Sequence, residues 1–505
     1  MSRAMTWDNL SDAIFDHAAR QADAPALIQA PATLSYRDFA ALVAKASVYL
    51  RDLGIGERTR VGIALGNSID HFILYFALMR VGAVPAELPV EDSGDKLVAA
   101  AQRYNMRAIF TEAQVTLSPG VTQHRMMPDW RDTLGALNGD HRALLGADEL
   151  HTITLTTGST GVPGGIITTH RQFSRRIEAQ RAIYKAHRLF EPPAGTLVLP
   201  ASIRFGPFFR SLLGQILAGG ATVITPDFAK PIELLRTIAA YDDAVAFVTA
   251  NLCRLFIAAA PESTFLFPRM RLLVSVGMPL YAAELRAVIA RVTPNYYYGY
   301  GTTGIASITA LPPGEIAHKA GTVGRPVADV TVEIVDERDR CLPAGSYGNI
   351  RCRSELVSLG RCEEDESESA EQFRDGWYYP GDIGMLDPDG YLILRGRVAE
   401  VIRSGATEVF APEVAAAIAA HPGVAEVAVV GIPSPQRGEE IVAFVVKRGT
   451  LDHEELVRHC RGVLTPPQRP EHIYYMDGLP RIAGGKVDRA RLQSLALSEA
   501  MRRGR

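Results

Sequence analysis

A run of glycines and hydroxyl side chains is the part of the sequence best suited to chemistry. Residues 156–165 read TTGSTGVPGG, which places four glycines and four hydroxyl side chains within ten positions. Such a run can expose consecutive backbone N–H groups, and these suit phosphate oxygens. It is not a Walker loop, because the spacing of that motif and its lysine are absent. Alone, the run favours phosphate binding over a flexible turn between two strands.

Further motifs follow in order along the chain. Residues 299–304 read GYGTTG after a strand-like segment, residues 376–382 read GWYYPGD, Gly396–Arg397 comes next, and residues 484–486 read GGK. This set, in this order, resembles the adenylate-forming superfamily, which contains acyl-CoA synthetases, adenylation domains of peptide synthetases and firefly-type luciferases. The resemblance covers nearly the whole chain and is strongest to the acyl- or aryl-CoA ligases. It implies ATP-dependent activation of a carboxylic acid as an acyl-adenylate, followed by thioester formation.

The resemblance also implies a nucleotide site. The loop at 156–165 would hold the pyrophosphate end of ATP, residues 277–279 and Tyr300 would flank the adenine, and Thr303 would hydrogen-bond the α-phosphate. Asp382 matches the acid that binds both ribose hydroxyls, and an ionised carboxylate accepts from two neighbouring hydroxyls at once. The residues assigned to the nucleotide in this way are Thr156, Thr157, Gly158, Ser159, Thr160, Gly161, Gly277, Met278, Pro279, Tyr300, Gly301, Thr302, Thr303, Asp382 and Arg397.

Lys486 matches the lysine of the small domain that reaches into the site for adenylation. A carboxylate that attacks an α-phosphate brings two anions together, and a positioned ammonium stabilises the transition state. Lys486 and Thr303 would therefore be the catalytic residues. By the same resemblance, Arg397 would contact the ribose and begin a hinge. The small domain would then turn, so that residues 402–411 line a tunnel for a phosphopantetheine thiol, whose attack needs little more than proximity.

Four positions depart from the pattern of the superfamily. Gly164 stands where a lysine of the phosphate loop is usual, and Gly304 replaces a glutamate that normally helps to bind Mg²⁺. Ile203 lies where many members have a histidine beside the acyl pocket, and Ala399 sits at the hinge position usually held by Asp or Lys. Mg²⁺ commonly uses one or two carboxylates with phosphate oxygens and waters, so phosphates and waters must serve here. The sequence therefore predicts an active but atypical enzyme and assigns no metal-binding side chain.

The acid-binding pocket is the part of the site that the sequence describes least. Arg204 and Arg210 are unusual beside an apolar site. One interpretation is that they pair with a second carboxylate or a polar group of the substrate. The other is that they point to solvent or pair with acidic side chains of the protein. The aromatic neighbours fit an aryl acid or a short to medium acyl acid. By resemblance, the residues closest to the acid are Ile203, Arg204, Phe205, Asn251 and Tyr298, with Gly277 and Gly301 beside them.

Strand and helix signals alternate through the first half of the chain. Hydrophobic periodicity predicts helices over 37–53 and 68–81 and strands over 60–65 and 83–90. This alternation indicates right-handed βαβ units and a mostly parallel sheet. The fold class is therefore α/β, with a large N-terminal domain of mostly parallel sheets and helices and a β-rich subdomain.

A break is predicted near Gly396–Arg397. Before it, residues 381–394 read as a β-hairpin. After it come a helix opened by Pro412 and strands over 426–432 and 441–446, enough for a small mobile α+β domain. The predicted domains are a large ATP- and acid-binding domain, residues 1–396, and a small C-terminal domain that carries the catalytic lysine, residues 397–505.

Composition and charge restrict the class of protein. The chain has 505 residues, too many for one ordinary core, and its content of 47% hydrophobic and 22% charged residues is typical of globular proteins. A formal net charge of −3 argues against a nucleic-acid-binding surface. No secretory signal or bilayer-spanning apolar stretch is present. The five cysteines lack CxxC spacing, which indicates neither a disulfide framework nor a zinc site. The predicted location is cytoplasmic.

Two alternatives to an acid–CoA ligase remain open. A freestanding adenylation enzyme that loads a carrier protein differs only in the thiol acceptor, and the lack of a carrier domain after Arg505 favours free CoA. A catalytically silent nucleotide- or acyl-binding protein is motivated by Gly164 and Gly304 together. The cofactors that the leading interpretation implies are ATP, Mg²⁺ and coenzyme A. The partners are a small carboxylic acid and CoA or a carrier-bound phosphopantetheine, without nucleic acid or a membrane span.

Overall fold

The structure is a computed structural model, and the chain in it divides into two compact units. One unit consists of Met1–Thr156, Pro163–Val332 and Cys352–Tyr378, and the other of Thr157–Val162, Glu333–Arg351 and Tyr379–Arg505. The predicted boundary between residues 396 and 397 falls inside the second unit. The residues that the structure describes are 9–90, 94–116, 120–156, 164–186, 197–200, 212–214, 216–217, 219–225, 230–241, 243–275, 277, 280–362, 366–405, 407–481 and 487–503.

Helices and strands alternate along most of the described chain. The helices are α1 Asp12–Arg20, α2 Tyr36–Asp52, α3 Ile69–Arg80, α4 Gly94–Arg103, α5 Trp130–Gly135, α6 His170–Ala186, α7 Pro231–Ala240, α8 Ala250–Ala259, α9 Ala282–Ala287, α10 Pro313–Lys319, α11 Glu366–Gln372, α12 Ala411–Ala419, α13 His453–Val463 and α14 Arg489–Arg503, with a π-helical turn at Val288–Val292 and 3₁₀ turns at Val398–Glu400 and Pro466–Gln468. The strands are β1 Pro25–Gln29, β2 Ala32–Ser35, β3 Arg60–Ala64, β4 Val84–Glu87, β5 Ala108–Thr111, β6 Thr122–Arg125, β7 Leu150–Thr156, β8 Gly164–Thr169, β9 Leu197–Pro200, β10 Thr222–Ile224, β11 Val245–Val248, β12 Leu272–Ser275, β13 Tyr296–Thr302, β14 Ala306–Leu311, β15 Arg325–Pro326, β16 Thr331–Val335, β17 Gly348–Arg353, β18 Gly360–Arg361, β19 Phe373–Arg374, β20 Trp377–Tyr378, β21 Asp382–Leu386, β22 Leu392–Arg397, β23 Val401–Ser404, β24 Thr407–Phe410, β25 Val424–Ser434, β26 Gly438–Lys447 and β27 His472–Met476.

Two sheets dominate the first unit, and both are parallel in their centres. One has the strand order β15-β14-β13-β12-β11-β9-β10-β1-β2 and the other the order β18-β8-β7-β4-β3-β5-β6. In the first sheet the pairs from β13 to β1 are parallel, and antiparallel pairs lie at the edges. In the second sheet the pairs from β7 to β6 are parallel, and β8 pairs antiparallel with both β7 and β18. The predicted α/β class with mostly parallel sheets is confirmed.

Local sequence explains why the early elements form where they do. Strand β3 is buried along Val61 to Ala64, as is typical of a parallel strand covered on both faces. Helices α2 and α3 begin after serine N-caps, because the Ser35 and Ser68 side chains accept hydrogen bonds from the Asp38 and His71 backbone N–H groups. Both predicted helices are confirmed to within one residue at each end. The strand predicted over 83–90 is shorter, at Val84–Glu87.

A tight hairpin opens the longest part of the second unit. Strands β21 and β22 pair antiparallel, from Asp382 opposite Arg397 to Leu386 opposite Leu392. Asp387 fixes the turn, since its Oδ1 accepts from the backbone N–H groups of Asp389 at 2.9 Å and Tyr391 at 2.8 Å. The predicted hairpin is therefore confirmed, although β22 continues three residues further than expected.

The C-terminal part of the second unit is a small α+β fold. Its sheet has the order β24-β23-β26-β25, with β27 parallel to β26. Alternate residues of β25 and β26 enter two hydrophobic clusters: Val429 and Ala443 pack with α12 and α13, whereas Val430 and Val442 pack with α14. The long hairpin β25–β26 contains both predicted strands, so the predicted small α+β fold is confirmed.

Two further predictions concern features on which the site does not depend. Within the described ranges, no helix is both long enough and apolar enough to cross a bilayer. The five cysteines are free thiols, and of these only Cys341 is exposed. Burial raises the pKa of the Cys253 thiol to about 12, so that this side chain packs as a neutral apolar group.

Candidate active site

The predicted phosphate loop begins and ends at a pair of neighbouring strand residues. Thr156, the last residue of β7, pairs with Gly164, the first residue of β8. The Thr156 hydroxyl also donates to the Gly164 carbonyl oxygen at 3.1 Å. The strands therefore close the base of the loop. Of the residues assigned to phosphate, Thr157, Gly158, Ser159, Thr160 and Gly161 lie outside the described part of the chain.

An arginine from another strand occupies the space beside Gly164. Strand β18 pairs antiparallel with β8, which places Arg361 opposite Ile166. A β-carbon on Gly164 would overlap the Arg361 Nη1 atom and lie 2.8 Å from Cζ. Gly165 is equally confined, because a β-carbon there would lie 2.7 Å from the Tyr104 ring. A larger residue at 165 would meet the Tyr104 ring, and one at 164 would displace the end of the Arg361 side chain.

The turn that carries Thr303 is held from two sides. It joins β13 to β14, and the Gly304 carbonyl oxygen accepts from the Ser358 backbone N–H at 2.7 Å and from Arg176 Nη2 at 2.8 Å. Arg176 is only 3% exposed, and its Nε donates to the Leu356 carbonyl oxygen at 2.9 Å. A buried guanidinium with two backbone acceptors fixes the turn that carries Thr303.

A tyrosine fills the space of the missing glutamate at Gly304. A β-carbon on Gly304 would lie 2.5 Å from Tyr378 Cζ and 2.6 Å from Cε2. Tyr378, on β20, is 4% exposed, and its hydroxyl accepts from Thr302 Oγ1 at 3.0 Å. Within the described residues, no group of three or more His, Cys, Asp or Glu side chains could hold a metal ion. The site therefore does not fit a protein-bound Mg²⁺ at this position.

The residues assigned to adenine are only partly described. Gly277 follows β12 closely and has a positive φ of 98°, whereas Met278 and Pro279 lie outside the described residues. Tyr300 pairs with Thr309 on β14. Gly301 follows it at a β-bulge, where a β-carbon would overlap the Ala306 carbonyl oxygen. The close approach of these two strands thus explains the glycine at 301.

A cavity in the first unit lies between helix α6 and the central strands. The residues that line it are Arg176, Ile177, Gln180, Tyr184, Phe247, Val274, Tyr297, Gly299, Tyr300, Gly301, Ala306, Ser307 and Thr309. Most of its wall is apolar. Among the polar groups, the Ser307 hydroxyl donates to Gln180 Oε1 at 3.2 Å. The Tyr297 hydroxyl is buried and has no hydrogen-bond partner among the described residues.

Of the residues predicted for the acid pocket, Asn251 and Tyr298 are described, and neither lines this cavity. Tyr298 points to the opposite face of β13 from Tyr297, where its hydroxyl accepts from the Leu280 N–H at 3.3 Å. Asn251 accepts from Arg254 Nη1 at 3.2 Å on helix α8. Ile203, Arg204, Phe205 and Arg210 lie outside the described residues. The alternation along β13 places Tyr297, Gly299 and Gly301 on one face, and this signal in the sequence could have identified Tyr297.

The two residues assigned to the ribose are cross-strand neighbours in the second unit. Asp382 begins β21 and Arg397 ends β22, and the strand register places them opposite each other. Arg397 Nε lies 3.2 Å from Asp382 Oδ1. The Asp382 side chain is 11% exposed, whereas that of Arg397 is 49% exposed. An ionised carboxylate in this position presents hydrogen-bond acceptors and no donor.

The structure describes the residues that flank the predicted hinge and the predicted catalytic lysine. Arg397 is followed by the 3₁₀ turn that contains Ala399, and the neighbouring Glu400 carboxylate lies 3.2 Å from Arg489 Nε. Lys486 lies outside the described residues. The segment that carries it is closed by a bridge between Arg481 and Val487, and the Asp488 N–H donates to the Pro480 carbonyl oxygen at 2.8 Å.

Comparison with known families and proteins agrees with this geometry. A model described as AMP-binding enzyme matches residues 14–360, and one described as AMP-binding enzyme C-terminal domain matches residues 413–486. A long-chain-fatty-acid–CoA ligase of Escherichia coli O6:H1 is 26% identical over 97% of this chain and 95% of its own length. Triostin synthetase I of Streptomyces triostinicus is 28% identical, with the same two coverages. An oxalate–CoA ligase of Arabidopsis thaliana is 26% identical over 88% of this chain and 90% of its own length.

Solved structures show the same fold. MatB from Rhodopseudomonas palustris with bound ATP has a TM-score of 0.85 and 24% identity, covering 97% of this chain and 98% of its own. The o-succinylbenzoate–CoA synthetase of Bacillus subtilis, solved with ATP and a magnesium ion, has a TM-score of 0.84 and 20% identity, covering 95% of this chain and 98% of its own. At these identities the similarity concerns the fold.

Proposed function

Since the chain belongs to the AMP-binding enzyme family, we propose that it is an AMP-forming acid–CoA ligase. It activates a carboxylic acid with ATP as an acyl-adenylate, releases pyrophosphate, and transfers the acyl group to the thiol of coenzyme A. We assign nucleotide and acid binding to residues 1–396 and the catalytic lysine to residues 397–505. The acid enters the cavity between α6 and the central strands.

The observation that carries this proposal is the pairing of Asp382 with Arg397. A largely buried carboxylate, fixed by a guanidinium 3.2 Å away, suits the recognition of two adjacent ribose hydroxyls. A structural ion pair alone would not need to lie in this motif beside Gly381, which has a positive φ of 79°. The family pattern and the geometry thus support the same role for Asp382.

In the adenylation step, the protein stabilises charge on the transferring phosphorus. Thr303, on a turn fixed by Arg176 and Ser358, donates to an α-phosphate oxygen. Lys486 brings an ammonium to the attacking carboxylate and the α-phosphate, which offsets the repulsion between them. Mg²⁺ enters as part of the MgATP substrate, because no carboxylate stands at Gly304 and phosphate oxygens with waters satisfy this ion.

In the second step the C-terminal domain turns about the hinge at Arg397. Strands β23 and β24 pair antiparallel, and residues 402–411, which overlap this pair, line the path of the phosphopantetheine thiol. The ion pair between Glu400 and Arg489 connects the hinge to the helix that follows Lys486. Acyl transfer then requires only that the thiol approach the adenylate.

A carrier protein is the second candidate for the thiol acceptor. One relative, triostin synthetase I, is not named a CoA ligase, and the similarity to it spans 97% of this chain. The CoA-ligase relatives, of similar coverage, favour free CoA. Both acceptors present the same phosphopantetheine thiol, so the adenylation step is unaffected by this choice.

Pyrophosphate release with MgATP across a panel of aryl, fatty and dicarboxylic acids tests the proposal. Each acid is assayed without acceptor, with CoA, and with a phosphopantetheinylated carrier protein. Acid-dependent release that increases with CoA supports a CoA ligase and identifies its substrate class. Stimulation by the carrier protein alone supports the second candidate. ATP binding without release on any acid would show that the chain has lost the chemistry and would contradict both.

A further inference from the structure

A positive charge lies beside Gly164, although this residue stands where the superfamily pattern has a lysine of the phosphate loop. Gly164 contributes no side chain, but the guanidinium of Arg361 occupies the space into which a side chain at 164 would extend. Its Nη1 atom is buried there. A cation of strand β18 thus lies beside Gly164 of strand β8, at the loop base that Thr156 and Gly164 close.

Neighbouring groups hold the arginine in this place. The Arg361 backbone N–H donates to Ser369 Oγ at 3.0 Å, and its Nε donates to Gln372 Oε1 at 3.2 Å. The next residue, Cys362, donates its N–H to the Gly165 carbonyl oxygen at 2.8 Å. Backbone and side chain are therefore both fixed, so little side-chain entropy remains to be lost when a ligand binds.

We propose that Arg361 is a phosphate-binding residue of this enzyme and contacts the β- or γ-phosphate of ATP in place of a side chain at position 164. This inference rests on the proposed function, which puts the triphosphate at the loop between β7 and β8. A guanidinium is charged at every physiological pH and donates in a fork that matches phosphate oxygens. It can therefore replace an ammonium at this end of ATP.

The same geometry links the two positions. A lysine at 164 would displace the Arg361 guanidinium from its present place beside the loop base. The acidic run that follows Cys362 offers a different role for Arg361, namely a purely structural ion pair. The two roles differ in their consequences, because a structural pair contributes equally to the binding of ATP and AMP.

Calorimetric titration with ATP and with AMP separates these roles. The test variant is Arg361→Gln, which keeps much of the length of the side chain and removes its charge. Loss of a charged hydrogen bond to phosphate raises the Kd of ATP about 10- to 100-fold, whereas the Kd of AMP changes less than about twofold. The matched control is Arg171→Ala, which removes an exposed arginine of helix α6 that pairs with Asp148. This variant changes neither the Kd of ATP nor the Kd of AMP.

A reciprocal swap provides the second arm. Gly164→Lys alone overlaps the guanidinium and lowers the midpoint of thermal unfolding. Combined with Arg361→Ala it restores both the midpoint and the preference for ATP over AMP. Equal losses of ATP and AMP affinity in Arg361→Gln, or no loss of either, overturn the inference while the proposed function stands. Absence of ATP binding by the unmodified protein overturns the proposed function and this inference with it.

Discussion

The two units of the chain differ in how much of the superfamily pattern their nucleotide residues keep. In the second unit, Asp382 and Arg397 are both present and form a cross-strand ion pair. In the first unit, the lysine and the glutamate of the pattern are replaced by Gly164 and Gly304. Each glycine faces a large side chain that fills the vacated space, Arg361 in one case and Tyr378 in the other.

The two replacements share an origin in the fold. Arg361 and Tyr378 both belong to the segment Cys352–Tyr378. This segment is part of the first unit but is separated from the rest of that unit along the chain by residues of the second unit. Each glycine thus faces a large side chain from the same segment, and a larger residue at either position would need that side chain to move. The residues proposed for the ribose thus match the superfamily pattern, whereas the two departures at the proposed phosphate end each lie against a side chain of this segment.

The largest expected effect is on the rate of adenylation and follows from substitution of Lys486, which matches the superfamily pattern in the C-terminal part of the chain. Lys486→Ala removes the ammonium that stabilises the transition state of adenylation. We expect the rate of pyrophosphate release to fall by roughly 10³-fold, and thioester formation from a supplied acyl-adenylate to stay nearly unchanged. Rapid-quench assays of the two half-reactions measure this. Lys447→Ala, in the same domain, is the control. An equal loss in both half-reactions would contradict two separate arrangements of the domain.

The sequence predicted the fold better than the site. Strong periodicity gave α2, α3 and the hairpin β21–β22 almost to the residue, because caps and turns in the sequence coincide with the ends of these elements. Gly164 and Gly304 were correctly identified as departures. Their consequences could not be predicted, because Arg361 and Tyr378 are about 200 and 74 residues away along the chain. The pairing of β18 with β8 brings Arg361 to Gly164, whereas Tyr378 reaches Gly304 from a strand of a different sheet.

The next effect concerns the ribose. Asp382→Asn keeps the size of the side chain but removes a charged acceptor, and we expect the Kd of ATP to rise about 10- to 100-fold. The protein should also lose its preference for ATP over 2′-deoxy-ATP and 3′-deoxy-ATP, since that preference depends on the ribose hydroxyls. Titration calorimetry with the three nucleotides checks this. Asp389→Asn, at the exposed turn of the same hairpin, serves as the control, and unchanged discrimination in Asp382→Asn would contradict the ribose role.

A smaller effect tests whether the Tyr378 ring excludes a glutamate at position 304. Gly304→Glu places a β-carbon 2.5 Å from Tyr378 Cζ, and overpacking of this kind destabilises by about 1–3 kcal/mol. We therefore expect a lower midpoint of thermal unfolding and no gain in Mg²⁺ response. The double variant with Tyr378→Ala should recover stability and reach half-maximal rate at a lower Mg²⁺ concentration. A single variant as stable as the unmodified protein would show that the ring does not exclude the glutamate.

The smallest expected effect concerns the Tyr297 hydroxyl, a polar group of a residue that lines the cavity of the first unit. Burial raises the pKa of Tyr297 well above its ordinary value, so the hydroxyl remains a neutral donor at physiological pH. It lies 3.5 Å from the β-carbon position of Gly299, on the cavity wall, and so suits an acid with a hydroxyl or amino substituent.

Tyr297→Phe should therefore lower kcat/KM for hydroxy- or amino-substituted aryl acids about tenfold relative to the unsubstituted acid. Stability should stay the same or increase, because the hydroxyl has no partner among the described residues. Tyr296→Phe is the matched control: its hydroxyl hydrogen-bonds Ser275 on the opposite face of β13, so its loss should lower the unfolding midpoint without changing selectivity. An unchanged ratio of kcat/KM values in Tyr297→Phe would mean that the acid does not reach this hydroxyl.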